Sequence, residues 1–332
     1  MTGEYSPAVV ADLSSMATAA APLWGLSPKT TATLMSLSEN ATFRLDDPDS
    51  GRRLSLRLHR QGYHRTEEIR SELMWINALR QKKIIDTPAA LPGRDGDILH
   101  VLPSPAGLAP RRAVAFDFVP GDMPTPDDHD LSHWFSTLGA LTARLHDHTQ
   151  SWPLPNGFVR KRWDVSAMIG EVSYWGPWQA SLGLSAEGRR IFQRATDRIH
   201  TTMAAYGTAS DRFGLIHADL RLSNLLVDGD ALRVIDFDDS GLSWFLYDFA
   251  AAISFHEQHP DVHLWEAAWL DSYQQLRRLS PQDLAVLPAL KMARRLLLTA
   301  WLASHSEIPL AQELGSDYTS GTAELAEAFL SA

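Results

Sequence analysis

The chain has 332 residues, of which 45% are hydrophobic and 21% charged, proportions typical of a globular protein of one large or two modest domains. Its formal net charge of −10 argues against a nucleic-acid partner, and the absence of cysteine excludes disulfides and thiolate metal sites. No signal peptide and no run of 18 apolar residues is found, so we expect a cytoplasmic protein without a membrane partner.

Short β runs dominate the first third of the chain. Residues 8–21 are rich in alanine and leucine and predict a leading helix. Three runs, at residues 33–37, 41–45 and 54–58, are separated by turn residues and predict strands. The first turn between them, Ser-Glu-Asn at residues 38–40, carries no Gly-x-Gly-x-x-Gly pattern.

The helix after the third strand is predicted to bury a charge. Thr66 is a plausible N-cap, and the two glutamates that follow it favour the helix dipole. One face of the helix carries an apolar stripe, formed by Ile69, Leu73, Ile76 and Leu79. Glu72 falls inside that stripe, where an unpaired carboxylate costs roughly several kcal/mol. We therefore expect a positively charged partner for Glu72, with an ordinary surface salt bridge as the alternative.

A change from short β runs to helical periodicity near residue 117 predicts a boundary between two domains. Residues 86–112 are rich in proline, glycine and aspartate, and short β runs lie at residues 98–102 and 113–119. The segment Phe-Asp-Phe-Val-Pro-Gly at residues 116–121 resembles an edge strand and a hinge.

The remainder of the chain has helical periodicity. Apolar residues recur every three to four positions over residues 131–145, and this helix is expected to end near residues 146–148. That His-Asp-His run is interpreted as polar helix-end residues in preference to a zinc site. Further helices are predicted over residues 187–206, 262–279 and 283–304, the last as ordinary bundle core.

Four tryptophans lie between residues 152 and 183, among prolines and glycines. They are equally compatible with a satellite core and with the wall of a substrate pocket, where aromatic side chains are common. Trp175 and Trp178 are the candidate substrate residues.

The most specific pattern lies in residues 215–239. An Asp-Gly pair at residues 228–229, between two apolar runs, predicts a β-hairpin. Asn224 precedes the first strand and Asp236 follows the second, so the two fall opposite each other or one residue off, roughly 4.5 to 5.5 Å apart at Cα. Hard oxygen ligands this close suit Mg²⁺. Asp219, five residues before Asn224, is left to act as a base.

The arrangement His217-x-Asp219-x4-Asn224, with Asp-Phe-Asp beginning twelve residues later, resembles the catalytic loop and metal aspartate of protein kinases. It is more similar to the aminoglycoside phosphotransferase and choline kinase superfamily. Within that superfamily, the Glu39-Asn40 turn together with residues 56–60, 70–73 and 235–239 is most similar to the branch of homoserine kinase type II and stress-response kinase A. Ala218 stands where that superfamily usually has glycine. The resemblance covers residues 33–300, with specific motifs only in 215–250.

The resemblance implies an α+β, two-lobed protein-kinase-like fold. A small β-rich N-lobe (residues 1–117), with a leading helix, an antiparallel sheet and one key helix, would cover the nucleotide. A larger, mainly helical C-lobe (residues 118–332) would hold the hinge, the catalytic loop and the substrate-binding helices. The implied ligands are ATP, Mg²⁺ and a small molecule with a hydroxyl group, such as an amino alcohol or an aminoglycoside; the oligomeric state is left open.

The resemblance also implies roles for residues around the motif. Asp219 would accept the hydroxyl proton or orient the hydroxyl, since this chemistry is mostly positioning and charge stabilisation. Arg221 would neutralise charge on the transferring phosphate, unless it is a solvated loop arginine. His217 and Asp248 would support the loop structurally. Asp238 and Asp239 would contact a second metal or an amine of the substrate.

In the N-lobe the resemblance points to five residues that would bind the nucleotide: Ser38, Asn40, Arg57, Glu72 and Phe118. Arg57 replaces the lysine that pairs with the helix glutamate in protein kinases. Arginine keeps the charge, but the two side chains are not equivalent, which affects the grip on the nucleotide.

Three alternatives use the same residues. A Ser/Thr protein kinase is possible because this fold does not determine the acceptor. A nucleotide-binding scaffold of weak activity would fit Arg57. A metal-dependent hydrolase built on His217, Asp219 and Asp236 is the most distant, because no second histidine cluster accompanies them.

Overall fold

The computed structural model describes residues 6–171 and 173–332, and these divide into two units. The chain passes between the units several times. The first unit runs to Gln81 and includes Thr87–Pro120 and Gly157–Val159, and the second comprises Lys82–Asp86, Gly121–Asn156 and Arg160–Ala332.

The first unit is built on an antiparallel sheet with two helices. Its elements in chain order are α1 (Pro7–Ala20), β1 (Thr31–Leu37), β2 (Asn40–Asp46), β3 (Arg53–His59), α2 (Thr66–Gln81), β4 (Ala90–Leu91), β5 (His100–Leu102) and β6 (Arg111–Asp117). The strand order is β1-β2-β3-β6-β4, and β5 also pairs with β6. The leading helix and the three first strands lie within two residues of their predicted bounds.

The core of the first unit lies between α1 and the sheet. The buried residues of α1 recur at helical spacing, as an amphipathic helix requires: Leu13, Met16, Ala17 and Ala20. They belong to one hydrophobic cluster with the alternating leucines of β3, residues 54, 56 and 58, of which none is more than 2% exposed. The predicted alternation along β3 therefore places these leucines in the core.

The helix α2 begins differently from the prediction. Thr66 is its first residue and not its N-cap. The carboxylate of Glu68 accepts the backbone N–H of Arg65 at 2.8 Å, so a glutamate of the first turn binds an amide at the helix start. The Thr66 hydroxyl instead accepts a hydrogen bond from Nε of Arg112 at 3.0 Å.

One short segment, residues 157–159, belongs to the first unit although the chain around it does not. The backbone N–H of Val159 donates to the hydroxyl of Ser71 on α2 at 2.9 Å. The hydroxyl donates in turn to the carbonyl of Glu67 at 2.7 Å. Residues 157–159 are thus hydrogen-bonded to a helix that ends more than 70 residues earlier.

The second unit is mainly helical. Its elements are α3 (Leu131–Ser151), β7 (Lys161–Arg162), α4 (Val165–Ile169), α5 (Ala186–Tyr206), β8 (Phe213–Ile216), β9 (Leu225–Asp228), β10 (Ala231–Val234), β11 (Gly241–Trp244), α6 (Tyr247–Ala252), α7 (Val262–Leu276), α8 (Pro281–Ser304) and α9 (Pro309–Ser331). The helix α3 continues one turn beyond its predicted end, and the sequence predicts none of α4, α6 and α9. Within the described residues, no helix has the length and apolarity needed to cross a membrane.

Two small sheets in the second unit carry the specific motif. The strands β9 and β10 form the predicted hairpin, with Gly229 and Asp230 as its two-residue loop. Gly229 has φ of 58°, a left-handed value that this loop position favours and that glycine adopts readily. The strand β11 pairs antiparallel with β8 and parallel with β7. The loops after β8 and after β10 are thereby held at the ends of hydrogen-bonded strands.

Candidate active site

The carboxylate of Asp219 is surrounded by donors on both of its oxygens. Asp219 lies in the loop between β8 and β9 and is 9% exposed. Oδ2 accepts from Nδ2 of Asn224 at 2.7 Å and from Nε of Arg221 at 3.1 Å, and Oδ1 accepts from Nη2 of Arg294 at 2.5 Å. Burial alone would raise the pKa of Asp219, but the charges of Arg221 and Arg294 outweigh it and hold that pKa below its usual value.

The side chain of Asn224 is oriented by its amide nitrogen. Nδ2 donates to the backbone carbonyl of Asp219 at 2.8 Å as well as to its carboxylate. With the nitrogen committed to these two acceptors, the amide oxygen is directed to the other side. The backbone carbonyl of Asn224 accepts the N–H of Ile235 at 2.9 Å and so extends the hairpin ladder by one pair. Asp236 therefore follows one residue off from Asn224, the second of the two registers that the sequence allowed.

The side-chain oxygens at this end of the hairpin are suitable ligands for a magnesium ion. Asp236 is exposed and has φ of 61°, in the left-handed region, which few non-glycine residues adopt. Its carboxylate and the amide oxygen of Asn224 are both hard ligands, of the kind that Mg²⁺ prefers. The chain has no cysteine, so no thiolate that would favour a softer metal is present.

His217 is a neutral, buried side chain that links the loop after β8 to the loop after β10 by hydrogen bonds. Its Nε2 lies 3.2 Å from the carbonyl of Ile235, and its Nδ1 lies 3.3 Å from the backbone nitrogen of Asp219. The backbone N–H must donate to Nδ1, so Nε2 carries the proton and donates to the carbonyl. Burial lowers the pKa of His217, in agreement with a neutral ring. The imidazole also packs on Phe237, with ring centroids 4.5 Å apart.

Asp248, on α6, accepts hydrogen bonds from the backbone of the same loop. Its Oδ1 accepts the N–H of Ala218 at 2.6 Å, and Oδ2 accepts the N–H of His217 at 3.2 Å. Two consecutive amides can meet one carboxylate here because Ala218 has φ of 66°. Alanine occupies this left-handed position at a cost of about 1 to 2 kcal/mol relative to glycine.

His146 is a supporting residue that the sequence reading missed. The prediction of polar helix-end residues is wrong for it, because α3 continues to Ser151 and His146 is completely buried. Its Nε2 donates to Oδ2 of Asp248 at 3.0 Å, and its Nδ1 accepts from the hydroxyl of Tyr273 at 2.9 Å. Its spacing of four residues from Thr142 and eight from Leu138, both buried, could have indicated its position on the inner face.

Acidification is expected to destabilise the protein through these histidines. Burial lowers the pKa of His146, although Asp248 opposes the shift, and the pKa of His217 is lowered as well. Below the ordinary value of 6.5 the unfolded chain then binds more protons than the folded one. The free energy of unfolding should accordingly be greatest above pH 6.5 and decline as the pH falls. Urea unfolding between pH 8 and pH 5.5 measures this, and His146→Gln should make the decline shallower; equal stability at both ends would contradict the expectation.

Arg294 is the second residue that the sequence reading missed. It lies on α8, which was interpreted as ordinary bundle core, and it is only 2% exposed. Besides Asp219 it binds Ser254, whose hydroxyl accepts from Nε at 2.9 Å. The signal was the pair Arg294-Arg295 inside the apolar run of residues 286–302, where an arginine needs a buried partner.

The two candidate tryptophans have different surroundings. Trp178 is buried against Phe192 of α5, with ring centroids 5.7 Å apart, as a core residue would be. Trp175 packs edge-to-face on Trp163 at 5.3 Å and carries the guanidinium of Arg294 over its ring at 5.6 Å. Of the two, only Trp175 contacts a group that also binds Asp219.

Asp239 lies beside a cation and an aromatic side chain. Its Oδ1 is 3.9 Å from Nζ of Lys161, and its backbone carbonyl accepts from Nε1 of Trp163 at 2.7 Å. The loop before it is held by Arg160, whose guanidinium donates to the carbonyls of Phe237, Asp238 and Ser240. Asp239 is therefore placed by a loop that is fastened at several points.

In the first unit, Arg57 and Glu72 form a buried ion pair. Nη1 of Arg57 lies 2.6 Å from Oε1 of Glu72, and the two residues are 7% and 0% exposed. The guanidinium also lies over the ring of Phe116, 5.1 Å from its centroid. Glu72 thus has the partner that its place in the apolar stripe of α2 requires.

The other candidates of the first unit lie at strand ends. Asn40 is buried, and its side-chain oxygen accepts the backbone N–H of Arg60 at 3.3 Å. The backbone N–H of Ser38 donates to the carbonyl of Asn40 at 3.0 Å and closes the turn. Phe118 follows β6, and the guanidinium of Arg44 lies 6.0 Å from its ring centroid.

The chain is similar to several proteins that are named as kinases of small molecules. The family model described as phosphotransferase enzyme family matches residues 32–289. A structure of a microcompartment-associated aminopropanol kinase is 40% identical, with a TM-score of 0.87, and the match covers 96% of this chain and 97% of that one. A structure of an amicoumacin kinase in complex with AMP-PNP, Ca²⁺ and Ami is 20% identical, with a TM-score of 0.75, over 98% and 93% of the two chains.

Two curated sequences match over shorter stretches. The amicoumacin kinase of Bacillus subtilis is 26% identical over 183 residues, which are 51% of this chain and 52% of that protein. The homoserine kinase of Methylobacillus flagellatus is 36% identical over 194 residues, 56% of each. The chain thus spans about half the length of these curated relatives. The predicted α+β, protein-kinase-like fold is confirmed by the structural likeness.

Proposed function

We propose that this chain, which belongs to the phosphotransferase enzyme family, transfers the γ-phosphoryl group of ATP to the hydroxyl of a short amino alcohol. Its membership confirms the resemblance predicted from residues 215–250. The observation that carries the proposal is the carboxylate of Asp219, in the loop after β8, which accepts hydrogen bonds from Asn224, from Arg221 and, from α8, from Arg294. The amino alcohol is supported by 40% identity to an aminopropanol kinase over 96% of the chain.

Asp219 is the residue proposed to act on the acceptor. It accepts a hydrogen bond from the substrate hydroxyl and aligns that oxygen with the γ-phosphorus. As the new O–P bond forms and the bond to the bridging oxygen breaks, ADP leaves and the hydroxyl proton passes to Asp219. Because two arginines stabilise the charged form, Asp219 holds that proton only transiently and returns it to solvent or product.

The remaining roles concern phosphate charge. Asn224 and Asp236 would hold Mg²⁺, which when bound neutralises the phosphate oxygens. An amicoumacin kinase of the same fold contains AMP-PNP and Ca²⁺, which supports a nucleotide and a divalent cation. Arg221 and Arg57 would bind phosphate through their guanidinium groups, with Glu72 holding Arg57, while Ser38, Asn40 and Phe118 remain our candidates for nucleotide contacts.

The ammonium group of the acceptor would be recognised by negative charge and aromatic rings. Asp239 and Trp175 are our candidates, since a cation is favoured beside a carboxylate and over an indole ring. The formal net charge of −10 also favours approach of a cationic substrate.

The proposal is tested by product formation with a defined panel of acceptors. ADP release and phosphorylated product are measured with ATP and Mg²⁺ and with 1-amino-2-propanol, ethanolamine, choline, homoserine, an aminoglycoside and a generic protein. We expect the highest kcat/KM on an amino alcohol of two to four carbons and none without divalent cation. Phosphorylation of the protein alone would instead favour a protein kinase, and release of free phosphate without a phosphorylated acceptor would favour a hydrolase.

A further inference from the structure

The guanidinium of Arg294 is buried and bound on all sides by the second unit. Nη2 lies 2.5 Å from Oδ1 of Asp219, and Nε donates to the Ser254 hydroxyl at 2.9 Å. Nη1 lies 3.4 Å from the carbonyl of Ala218 and 3.4 Å from the hydroxyl of Tyr247. One side chain of α8 thus contacts the carboxylate of Asp219, the backbone of its loop and the start of α6.

Arg294 binds the second oxygen of the Asp219 carboxylate. The other two side-chain donors, Asn224 and Arg221, both bind Oδ2. Rotation about the Cβ–Cγ bond moves both oxygens, and the donors on Oδ2 oppose it at one oxygen only. The donor on Oδ1 opposes it at the other oxygen as well, and it belongs to α8, whose residues 292–302 are all buried.

The neighbouring Arg295 shows that burial on α8 does not by itself require a contact with the catalytic loop. Arg295 is 3% exposed, much like Arg294. Its guanidinium binds Glu257 at 2.5 Å and, on α9, the hydroxyl of Thr322 at 2.8 Å and the carbonyl of Tyr318 at 3.1 Å. Two adjacent arginines of equal burial therefore serve different partners, and only one of them binds Asp219.

From this geometry we infer that Arg294 is a positioning residue for phosphoryl transfer, which holds the Asp219 carboxylate in the orientation that receives the acceptor hydroxyl. The inference rests on the proposed function. Arg294 acts through Asp219 and not on the substrate, so its removal should slow the chemical step while leaving substrate binding nearly unchanged. Small errors in the placement of a catalytic group cost on the order of 10²-fold in rate.

The inference is tested by a double-mutant cycle. Arg294→Gln should lower kcat about 10²-fold, with the KM values of ATP and acceptor changed less than about threefold. In an Asp219→Ala background the same substitution should cost less than about threefold, because the carboxylate that it positions is gone. A merely structural role predicts equal losses in both backgrounds, and that result would overturn the inference.

Two further variants keep the test decisive if Arg294→Gln folds poorly. Arg294→Lys retains the charge but not the forked geometry and should recover part of the lost kcat. Arg295→Gln is the matched control, since it removes an equally buried arginine and should reduce stability while kcat stays within about threefold of the wild type. An equal loss of kcat in Arg295→Gln and Arg294→Lys would overturn the inference.

A wild-type chain that phosphorylates no acceptor would overturn the proposed function and this inference together. An active wild type whose kcat is equalled by that of Arg294→Gln would overturn the inference alone.

Discussion

Replacing Asp219 by asparagine is expected to lower kcat by about 10³-fold, with little change in the KM of ATP. Asparagine has nearly the same shape but carries no negative charge and cannot take the proton of the acceptor hydroxyl. The substitution also leaves Arg294 buried beside a neutral group. We therefore expect the free energy of unfolding to fall by about 2 to 3 kcal/mol as well, which is less than a fully buried pair would lose.

The measurement is steady-state kinetics on the best acceptor, accompanied by urea unfolding of the same preparations. Asp230→Asn is the matched control, because Asp230 is an exposed residue at the tip of the hairpin in the same stretch of chain. Its kcat and its stability should equal those of the wild type. A kcat of Asp219→Asn within about threefold of the control would remove Asp219 from the mechanism.

Replacing Asp248 by asparagine is expected to be the most destabilising of the single substitutions considered. The carboxylate is completely buried and accepts from the amides of His217 and Ala218 and from the ring of His146. An asparagine must turn its NH₂ group toward at least one of these donors, which leaves buried donors facing each other. The free energy of unfolding should decrease by about 3 to 5 kcal/mol.

Urea unfolding measures that loss, and kcat should fall with it because the loop carrying Asp219 is no longer held. Asp271→Asn, at an exposed position of α7, makes the same chemical change without burial and should stay within about 0.5 kcal/mol of the wild type. Were Asp248→Asn as stable as this control, the role of Asp248 as a support of the loop would be wrong.

Local sequence pattern predicts the motif and several of the helices and strands. The alternation in β3, the periodicity of α2 and the Asp-Gly turn of the hairpin each depend on residues within one segment, so the sequence predicts them directly. The approach of Asn224 and Asp236 also follows from counting along one hairpin. The family could be recognised on the same grounds, because its specific motifs lie within residues 215–250.

Partners distant in the sequence could not be predicted in the same way. Arg294 binds Asp219 across 75 residues, and His146 binds Asp248 across 102. Periodicity indicates that a polar side chain faces the interior, and burial then requires a partner, but neither identifies which one. The tryptophans illustrate the same limit: Trp175 and Trp178 share a segment and a composition, yet one contacts Arg294 and the other packs on Phe192.

The segment of residues 157–159 bears on how this protein can be dissected. Val159 donates its amide to Ser71, yet the chain reaches it only after α3 has been completed in the other unit. A fragment that stops after Pro120 would lack this backbone donor and would be an incomplete version of the first unit. Separate expression of the first unit would thus require a tethered copy of residues 157–159. Two-piece complementation is better attempted with a break in a loop such as residues 103–110, because the chain on both sides of residues 157–159 then stays continuous.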